Sequence, residues 1–312
     1  MKQSHNILSD DSSLITTLFG HLQTTLPPGA NVLIALSGGV DSSVVSALLQ
    51  HYHREGNLNR APIAVTTDSP STPRRQLTMA ITVARFLKIE HRVIQGTEQA
   101  DVRYRSNGPD RCFHCKTHLY SALRAIAAFR PGSLLMSGTN ADDLGDYRPG
   151  IQAGHEFDVA TPLADVGLDK SAVRRLARHY RLPNADAPAA PCLASRIVYG
   201  VEVTPERLAM VERAETLLLE LGFDICRVRL NTRNGQIVGR VEVPENQLAD
   251  LEAIWSSEGL PRQLAGIGFA KVEIEADGFR SGRLNDAIQP KPQTRSLRNH
   301  ADLPILDSRM AT

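Results

Sequence analysis

The stretch "NVLIALSGGVDSS", residues 31 to 43, decides the fold. Its first half is a continuous apolar run of strand length, which predicts a buried parallel strand over residues 31 to 37. A helix is predicted from residue 42 to 53, directly after two glycines. Gly38 and Gly39 permit a positive φ and close backbone approach, and the N–H groups that open a helix favour an anion. The stretch therefore predicts a strand, an anion-binding loop and a helix.

The same alternation of strand and helix continues along the chain. After a first helix over 12 to 26, the apolar periodicity predicts three further strands and three further helices. The strands are predicted at 62 to 69, 91 to 96 and 133 to 140, and the helices at 73 to 88, 113 to 129 and 169 to 181. This order predicts an α/β fold, a doubly wound parallel sheet over residues 1 to 185, with its ligand at the carboxyl ends of the strands.

The composition changes at "RLPNADAPAAPCLASR", residues 181 to 196, which is rich in Pro and Ala and predicts a domain boundary. A smaller α+β domain is predicted over 186 to 284, and residues 285 to 312 lack periodicity, which predicts a flexible tail. Within the smaller domain we predict helices at 204 to 221 and 245 to 257, and strands at 225 to 231, 236 to 243 and 267 to 275.

Bulk composition limits the classes of function. The 312 residues carry a formal net charge of +1 and are 42% apolar, so no whole-molecule signal points to nucleic acid or to a membrane. The N-terminal residues lack the pattern of a signal peptide, and no apolar run reaches the length of a membrane span. We therefore expect a cytoplasmic protein whose four cysteines are thiols or ligands.

The loop "SGGVDSS", residues 37 to 43, carries the strongest motif. The hydroxyls of Ser37, Ser42 and Ser43 suit a phosphate, and Asp41 suits Mg²⁺ or an N-cap role. A glycine turn before a well-capped helix is the alternative interpretation. No Lys follows the glycines, so this is not the Walker sequence. Every position resembles the PP-loop "SGGxDS" of the ATP pyrophosphatases, which implies that the loop binds the pyrophosphate end of ATP.

Two other strand ends are candidates for the nucleotide or its metal. The strand ending in "TTDSP" places Thr67 where the fold brings residues near the adenine. The segment "SGTNADDLGDYRPG", residues 137 to 150, follows another strand. Capping by its Asx side chains is the alternative interpretation. Its candidate ligands are Gly138, Asn140, Asp142, Asp143 and Asp146.

The cysteines form a second group of candidates. Cys112 and Cys115 make a C-x-x-C at a predicted helix N-terminus, a setting for a redox pair or a metal. Cys192 lies in the Pro and Ala stretch, whereas Cys226 lies in "DICRVRL" and reads as a buried small hydrophobe. His114 reads as a helix-start residue. A Cys₄ zinc site requires all four cysteines; three cysteines can hold a 4Fe-4S cluster with one open iron.

Taken together, the motifs resemble the LarE family of ATP-dependent sulfur transferases. The matching stretches include "SGGVDSS", "RCFHCK", "GTNADDLGDYRPG", "PCLASRIVYG", "CRVRL" and "DGFRSGRLN". The resemblance implies that a carboxylate of pyridinium-3,5-biscarboxylic acid mononucleotide attacks the α-phosphate of ATP. Pyrophosphate then leaves, and a sulfur nucleophile opens the acyl-adenylate with loss of AMP. The hairpin "RVRLNTRNGQIVGRVEV" departs from the family, because it is longer and lacks the His-Gly common after "RVR".

The resemblance also implies roles for individual residues. Cys192 delivers the sulfur, Ser195 orients it or a substrate carboxylate, and Asp41 serves the adenylation. Three arginines are candidates for the anionic groups of the substrate, with exposed charge as the alternative interpretation: Arg196, Arg227 and Arg229.

Family members with the additional cysteine pair are understood to bind a 4Fe-4S cluster on all three cysteines, so a cluster on Cys112, Cys115 and Cys192 is expected here. Sacrifice of Cys192 to dehydroalanine is the alternative. We also expect a sulfide or persulfide donor and a homo-oligomer. Competing functions are tRNA thiolation, amide formation as in NAD synthetase, and a nucleotide-regulated iron-sulfur scaffold without enzymatic activity.

Overall fold

The computed structural model describes residues 3 to 128, 132 to 145, 149 to 257 and 259 to 280. The predicted tail over 285 to 312 and the candidate ligand Asp146 lie outside these residues.

The described chain forms two sheets with helices packed on them. The α-helices are α1 Gln3–Thr25, α2 Val40–Arg54, α3 Arg74–Leu87, α4 Val102–Arg105, α5 Arg111–Ala128, α6 Ala141–Leu144, α7 Pro149–Glu156, α8 Pro162–Asp165, α9 Lys170–His179, α10 Pro205–Glu220, α11 Leu248–Ser257 and α12 Leu260–Ile267. The strands are β1 Asn31–Ala35, β2 Ile63–Asp68, β3 Glu90–Gln95, β4 Ser133–Met136, β5 Val159–Ala160, β6 Arg227–Arg233, β7 Gln236–Glu242 and β8 Lys271–Ile274. Short 3₁₀ turns occupy Glu98–Ala100, Leu193–Arg196 and Glu245–Gln247.

The larger sheet has the order β3-β2-β1-β4-β5, and all of its strand pairs are parallel. The fold class predicted from the sequence is therefore confirmed. Strand β1 lies at the centre, with β2 on one side and β4 on the other, so the chain order of the sheet reverses next to it. In such sheets a ligand binds beyond the carboxyl ends at this reversal. The loop after β1 occupies that position.

Alternation of side chains along β1 builds a core on both faces of the sheet. Ile34 points into a cluster with Leu18, Leu48 and Leu176, from helices α1, α2 and α9. Leu33 points into the opposite cluster, which includes Leu123 of α5. Successive strand residues face opposite sides, and a strand covered on both faces has to be apolar throughout. The continuous apolar run of β1 follows from this position.

The smaller sheet has the order β6-β7-β8, with β6 and β7 antiparallel and β8 parallel to β7. Asn234 and Gly235 form its two-residue hairpin turn with φ of 53° and 76°, the conformation that favours Asn-Gly. Helices α10 and α12 cover this sheet and contribute Leu208 and Leu264 to its core.

The secondary-structure prediction missed the short helices α4, α6, α7 and α8, and it was wrong about two strands. The strand predicted from residue 267 starts at Lys271, because α12 extends to Ile267 and its Leu260 and Leu264 are buried at a helical spacing. The two-residue strand β5 was missed, since it is too short to show periodicity. The domain boundary after residue 185 stays a prediction.

No helix in the described ranges is both long and apolar enough to span a membrane.

Candidate active site

The loop after β1 is held by its own hydroxyl groups. Ser42 and Ser43 donate to the Gly39 carbonyl at 3.1 and 2.8 Å, and Ser42 Oγ also accepts from the Ser37 amide at 3.1 Å. Gly39 is the N-cap of α2, and Asp41 lies in the first turn. The opening N–H groups of a helix lack intrahelical partners, so they are available to an anion. The arrangement suits a pyrophosphate group.

Two glycines bring the loop into close contact with its neighbours. Gly38 has a φ of +79°, and a Cβ there would lie 2.3 Å from the Gln76 carbonyl oxygen of α3. Gly138 follows β4, and a Cβ there would lie 2.4 Å from the Ser42 amide nitrogen. Both predicted glycine positions are therefore packed directly against backbone. At these two positions only glycine, which has no side chain, allows the loop to keep this geometry.

Polar atoms without partners lie at the carboxyl ends of β2 and β4, on either side of the loop. Among the described residues, Thr67 Oγ1 and Asn140 Nδ2 are buried and have no hydrogen-bond partner. Buried polar groups are nearly always paired, so these atoms are candidates to bind a ligand. Both belong to segments that the sequence assigned to the nucleotide.

Capping explains part of the segment after β4. Asn140 Oδ1 accepts from the Asp143 amide, and the Asp143 carboxylate accepts from the Asn140 amide, both at 3.3 Å. Asp142 accepts from the Lys170 amide at 2.9 Å, and Lys170 Nζ lies 3.8 Å from Asp143. The structure therefore shows these side chains as helix caps, which was the alternative interpretation. Asn140 Nδ2 is nevertheless left without a partner among the described residues.

The structure brings Cys112, Cys115 and Cys192 toward one region. Cys112 and Cys115 lie in the first turns of α5, and Cys115 and Cys192 pack against the same apolar cluster. Burial, followed by the charges of Glu98 and Cys192, raises the pKa of the Cys115 thiol. Among the described residues, no group of three His, Cys, Asp or Glu side chains is arranged to hold a single metal ion.

A buried cation, Arg111, lies between these cysteines. It is 2% exposed and donates to the Asn107 side chain at 2.6 Å and to the Ala194 carbonyl at 2.8 Å. Its Nη2 lies 3.9 Å from Cys112 Sγ, and no carboxylate of the described residues pairs with it. Burial lowers the pKa of Arg111, but Cys192 and Cys112 offset this and hold that pKa above its usual value. Arg111 is therefore a buried cation with thiol groups, and no described carboxylate, beside it.

The segment from Asn184 to Cys192, called the strap below, is held by guanidinium groups. Carbonyls of alternate residues accept hydrogen bonds: Ala185 and Ala187 from Arg174 at 3.1 and 2.9 Å, and Ala189 from Arg227 at 2.8 Å. Pro191 accepts from Arg196. The strap contains two prolines and few polar side chains, so arginines take the place that a neighbouring strand would have. This explains how a Pro and Ala stretch keeps Cys192 in one position.

Arg196 fixes the turn that carries Cys192. It is fully buried and forms a two-pronged ion pair with Glu215 of α10, at 2.9 and 3.0 Å. Its Nη1 donates to the Cys192 carbonyl and to Ser195 Oγ at 3.0 and 3.1 Å. Ser195 Oγ in turn donates to the Cys192 carbonyl at 2.7 Å. The two predicted catalytic residues, Cys192 and Ser195, thus lie in one compact turn.

The other two predicted arginines, Arg227 and Arg229, share one face of β6 and are 5% and 9% exposed. Arg229 pairs with Glu242 at 3.2 Å and donates to the Ser195 carbonyl at 2.7 Å. Arg227 forms no ion pair with a described carboxylate, and burial, followed by the nearby charge of Arg196, lowers the pKa of Arg227 to about 10. The alternative of exposed charge does not describe these residues, because both are buried.

The remaining thiol, Cys226, is a buried member of the apolar cluster against which Cys115 and Cys192 pack. Cys226 is 2% exposed, and burial, followed by the Glu215 charge, raises the pKa of Cys226 to about 12. His114 lies on α5 and contacts Asp110 at 3.1 Å. Both residues agree with the structural interpretations given from the sequence.

Sequence reasoning missed several residues of the site. Glu98 is 3% exposed and accepts from Ser71 Oγ at 3.2 Å, while the Ser71 carbonyl accepts from the Leu193 amide at 2.9 Å. The hydroxyl of Tyr104 is buried without a partner among the described residues. Glu98 and Tyr104 lie far from the motifs in sequence, and only the packing of the 3₁₀ turn and α4 reveals them. For Arg111, its place directly before Cys112 was the available signal.

Comparisons with known proteins agree with the fold. Residues 11 to 126 match the asparagine synthase family, which defines the class as a PP-loop ATP-using enzyme. The chain is 32% identical over 260 residues to the pyridinium-3,5-bisthiocarboxylic acid mononucleotide synthase of Lactiplantibacillus plantarum, covering 82% of this chain and 90% of that protein. It is also 37% identical over 256 residues to an uncharacterized protein of Synechocystis, covering 82% of this chain and 92% of that protein.

The chain belongs to the LarE family of ATP-dependent sulfur transferases.

Proposed function

We propose that the protein converts the carboxylates of pyridinium-3,5-biscarboxylic acid mononucleotide to thiocarboxylates, a step in making the nickel-pincer nucleotide cofactor. The relative from L. plantarum, named for the bisthiocarboxylic acid product, supports this acceptor. The observation that carries the proposal is the strap: one short segment begins at the PP-loop with Asn184 and ends with Cys192. An ATP-activating loop and a sulfur-bearing position are thereby joined.

The first step is adenylation, because a free carboxylate is a poor electrophile. The acceptor carboxylate attacks the α-phosphorus of MgATP, the bond to the β-phosphate oxygen breaks, and pyrophosphate leaves. The amides that open α2 and the hydroxyl of Ser37 would bind the pyrophosphate, while Ser42 and Ser43 hold the loop through the Gly39 carbonyl. Asp41 and Asp143 supply carboxylates for the magnesium of MgATP, and Thr67, Gly138 and Asn140 would bind the nucleotide.

The acceptor carries a phosphate and two carboxylates, and Arg227 is suited to such a group. It is a buried cation whose described contacts are two backbone carbonyls, at 2.7 and 2.8 Å, and the ring of Phe279. A buried charge without an ionic partner is costly, and an anion would offset that cost. Arg196 and Arg229 lie beside it and would add positive potential, although carboxylates already pair with both.

The second step is thiolation, in which sulfur attacks the acyl carbon and AMP leaves. Cys112, Cys115 and Cys192 fit a 4Fe-4S cluster by the chemistry of the donor set, since the three thiols lie in one region, where the buried Arg111 contacts Cys112 and has no carboxylate partner among the described residues. The ligands of a cubane lie further apart than those of one ion. Such a cluster would supply an open iron that carries the transferred sulfide. Arg111 would donate to the sulfurs, and Ser195 and Arg196 would hold the Cys192 turn.

Pyrophosphate release on addition of the acceptor tests the first step. We expect release that depends on both ATP and the dicarboxylated mononucleotide. The Cys192→Ser variant should release pyrophosphate once and form no thiocarboxylate. Cys226→Ser, a matched control at the buried thiol, should release pyrophosphate and form the thiocarboxylate. Release that is independent of the acceptor, or no release at all, would contradict the proposal.

Iron and sulfide analysis after anaerobic purification tests the cluster. We expect both elements together with absorbance near 400 nm, and loss of both in Cys112→Ser and Cys115→Ser. A colourless, iron-free protein after anaerobic reconstitution would leave Cys192 as a consumed sulfur source. The proposal also includes the two partners predicted from the sequence, which are a sulfide or persulfide donor and further copies of this chain in a homo-oligomer.

A further inference from the structure

A single buried carboxamide contacts the PP-loop from outside it. Asn184 is 1% exposed, and its Nδ2 donates to the Gly38 carbonyl at 2.8 Å and to Ser43 Oγ at 2.9 Å. It lies 141 residues from Ser43 in sequence, at the first position of the strap. The loop is therefore fastened to the segment that ends at Cys192.

The contact with Gly38 gives both glycine carbonyls of the loop a hydrogen-bond donor. The Gly39 carbonyl accepts from Ser42 and Ser43, whose hydroxyls lie within the loop. The Gly38 carbonyl accepts from Asn184. Because Gly38 is at a φ of +79° and touches α3, its peptide plane has little freedom. Both carbonyls are therefore directed into the protein, the Gly39 amide donates to Ser37 Oγ at 3.3 Å, and the opening N–H groups of α2 are left for an anion.

The chemistry of the contact specifies an amide. A carbonyl oxygen only accepts, so the group facing Gly38 has to donate. The Ser43 hydroxyl hydrogen is already given to Gly39, so Ser43 Oγ accepts the second hydrogen of the same NH₂ group. Among uncharged side chains of this size, only a carboxamide can donate two hydrogen bonds from one nitrogen atom. Aspartate has the same shape and would place an oxygen against the Gly38 oxygen.

The backbone of Asn184 belongs to the strap. The Asn184 carbonyl accepts from the Ala187 amide at 3.1 Å, and Arg174 holds the carbonyls of Ala185 and Ala187. The side chain thus fixes the loop while the main chain fixes the path toward Cys192. We propose that Asn184 is a positioning residue that sets the PP-loop for ATP and registers the Cys192 strap against it.

Direct binding of a non-hydrolysable ATP analogue with Mg²⁺ tests this inference. It rests on ATP binding at the PP-loop, which is one part of the proposed function, and it needs neither the acceptor nor a sulfur source. We expect Asn184→Ala and Asn184→Asp to weaken analogue binding about tenfold or more, since both hydrogen bonds that hold the loop from outside are lost. Asn184→Asp should be the weaker binder, because its carboxylate repels both the Gly38 oxygen and the pyrophosphate.

Asp186→Asn is the matched control, because Asp186 is exposed, lies on the same strap and pairs with Arg178. It should bind the analogue as the unmodified protein does. The KM for ATP should rise in the Asn184 variants while the KM for the acceptor changes little. Binding of the analogue by both variants within twofold of the control would overturn the proposal. Failure of both variants to fold would also overturn it, since the residue would then have a purely structural role.

A failure of the proposed acceptor would look different. The unmodified protein would then bind the analogue and release no pyrophosphate with the dicarboxylated mononucleotide, and the Asn184 effect on analogue binding would persist.

Discussion

Replacing Gly138 by alanine tests the PP-loop geometry without touching a residue of the loop. A Cβ at position 138 would lie 2.4 Å from the Ser42 amide nitrogen, 2.6 Å from the Asp41 carbonyl carbon and 2.7 Å from the Ser42 Cα. These are backbone atoms in the first turn of α2, so no side-chain rotation relieves the contact. Ordinary contact begins at 3.4 Å, and α2 and the segment after β4 have to separate by about 1 Å.

The expected cost follows from that displacement. Overpacking of this kind destabilises a protein by about 1 to 3 kcal/mol. A shift of about 1 Å in a group that positions a substrate lowers the rate about 100-fold. We therefore expect Gly138→Ala to fold, with a reduced free energy of unfolding in urea, and to lose about 100-fold in kcat/KM for ATP in acceptor-dependent pyrophosphate release.

Gly20→Ala is the matched control. Gly20 lies on α1, and a Cβ there would meet nothing within 4 Å. This change should raise stability by up to about 1 kcal/mol through helix propensity and leave pyrophosphate release unchanged. If Gly138→Ala retained a kcat/KM for ATP within threefold of the unmodified protein, the close packing of the loop against β4 would not be needed for activity.

Three further experiments test the surroundings. Arg196→Met should lower the free energy of unfolding by about 3 to 5 kcal/mol, because Glu215 stays buried without its partner, and the double variant with Glu215→Leu should recover most of that loss in urea titrations. In the iron-free protein at pH 8, iodoacetamide should alkylate Cys192 and leave Cys226 unmodified, since burial raises the pKa of Cys226 to about 12; modification of Cys226 in peptide mapping would refute its burial. The hydrogen bond from Arg103 holds the pKa of Asp101 below its usual value, so the stability that the Asp101 carboxylate contributes is present above pH 4 and is lost in stronger acid. Asp101→Asn should therefore lower the free energy of unfolding by about 1 kcal/mol at pH 7 and by less at pH 2. An equal loss at both pH values would contradict this.

The sequence was sufficient for the parts of the fold that depend on local pattern. The apolar run ending in Leu36 has to be buried on both faces, and the glycines after it can only open a loop. These residues predicted the parallel sheet, and they also place the proposed nucleotide site in the loop after its first strand. The hairpin at Asn234 and Gly235 likewise follows from local turn chemistry.

Contacts between distant segments could not be read from the sequence. Nothing near Asn184 indicates that its side chain reaches Gly38, and nothing near Glu215 indicates that it pairs with Arg196. Two of the arginines predicted to bind substrate, Arg196 and Arg227, hold the strap through backbone carbonyls, a use that has no sequence signature because any carbonyl can accept. Their burial depends on how the smaller sheet packs on α10 and the strap.

The most direct test of sulfur transfer is mass spectrometry after anaerobic turnover with ATP, the dicarboxylated mononucleotide and isotopically labelled sulfide. We predict that the mononucleotide gains labelled sulfur in place of oxygen, that AMP and pyrophosphate appear in proportion, and that the mass of the polypeptide is unchanged. Unlabelled sulfur in the product, with a polypeptide that has lost the sulfur of Cys192, would contradict the cluster. ATP cleavage with no sulfur in the mononucleotide would contradict the account as a whole.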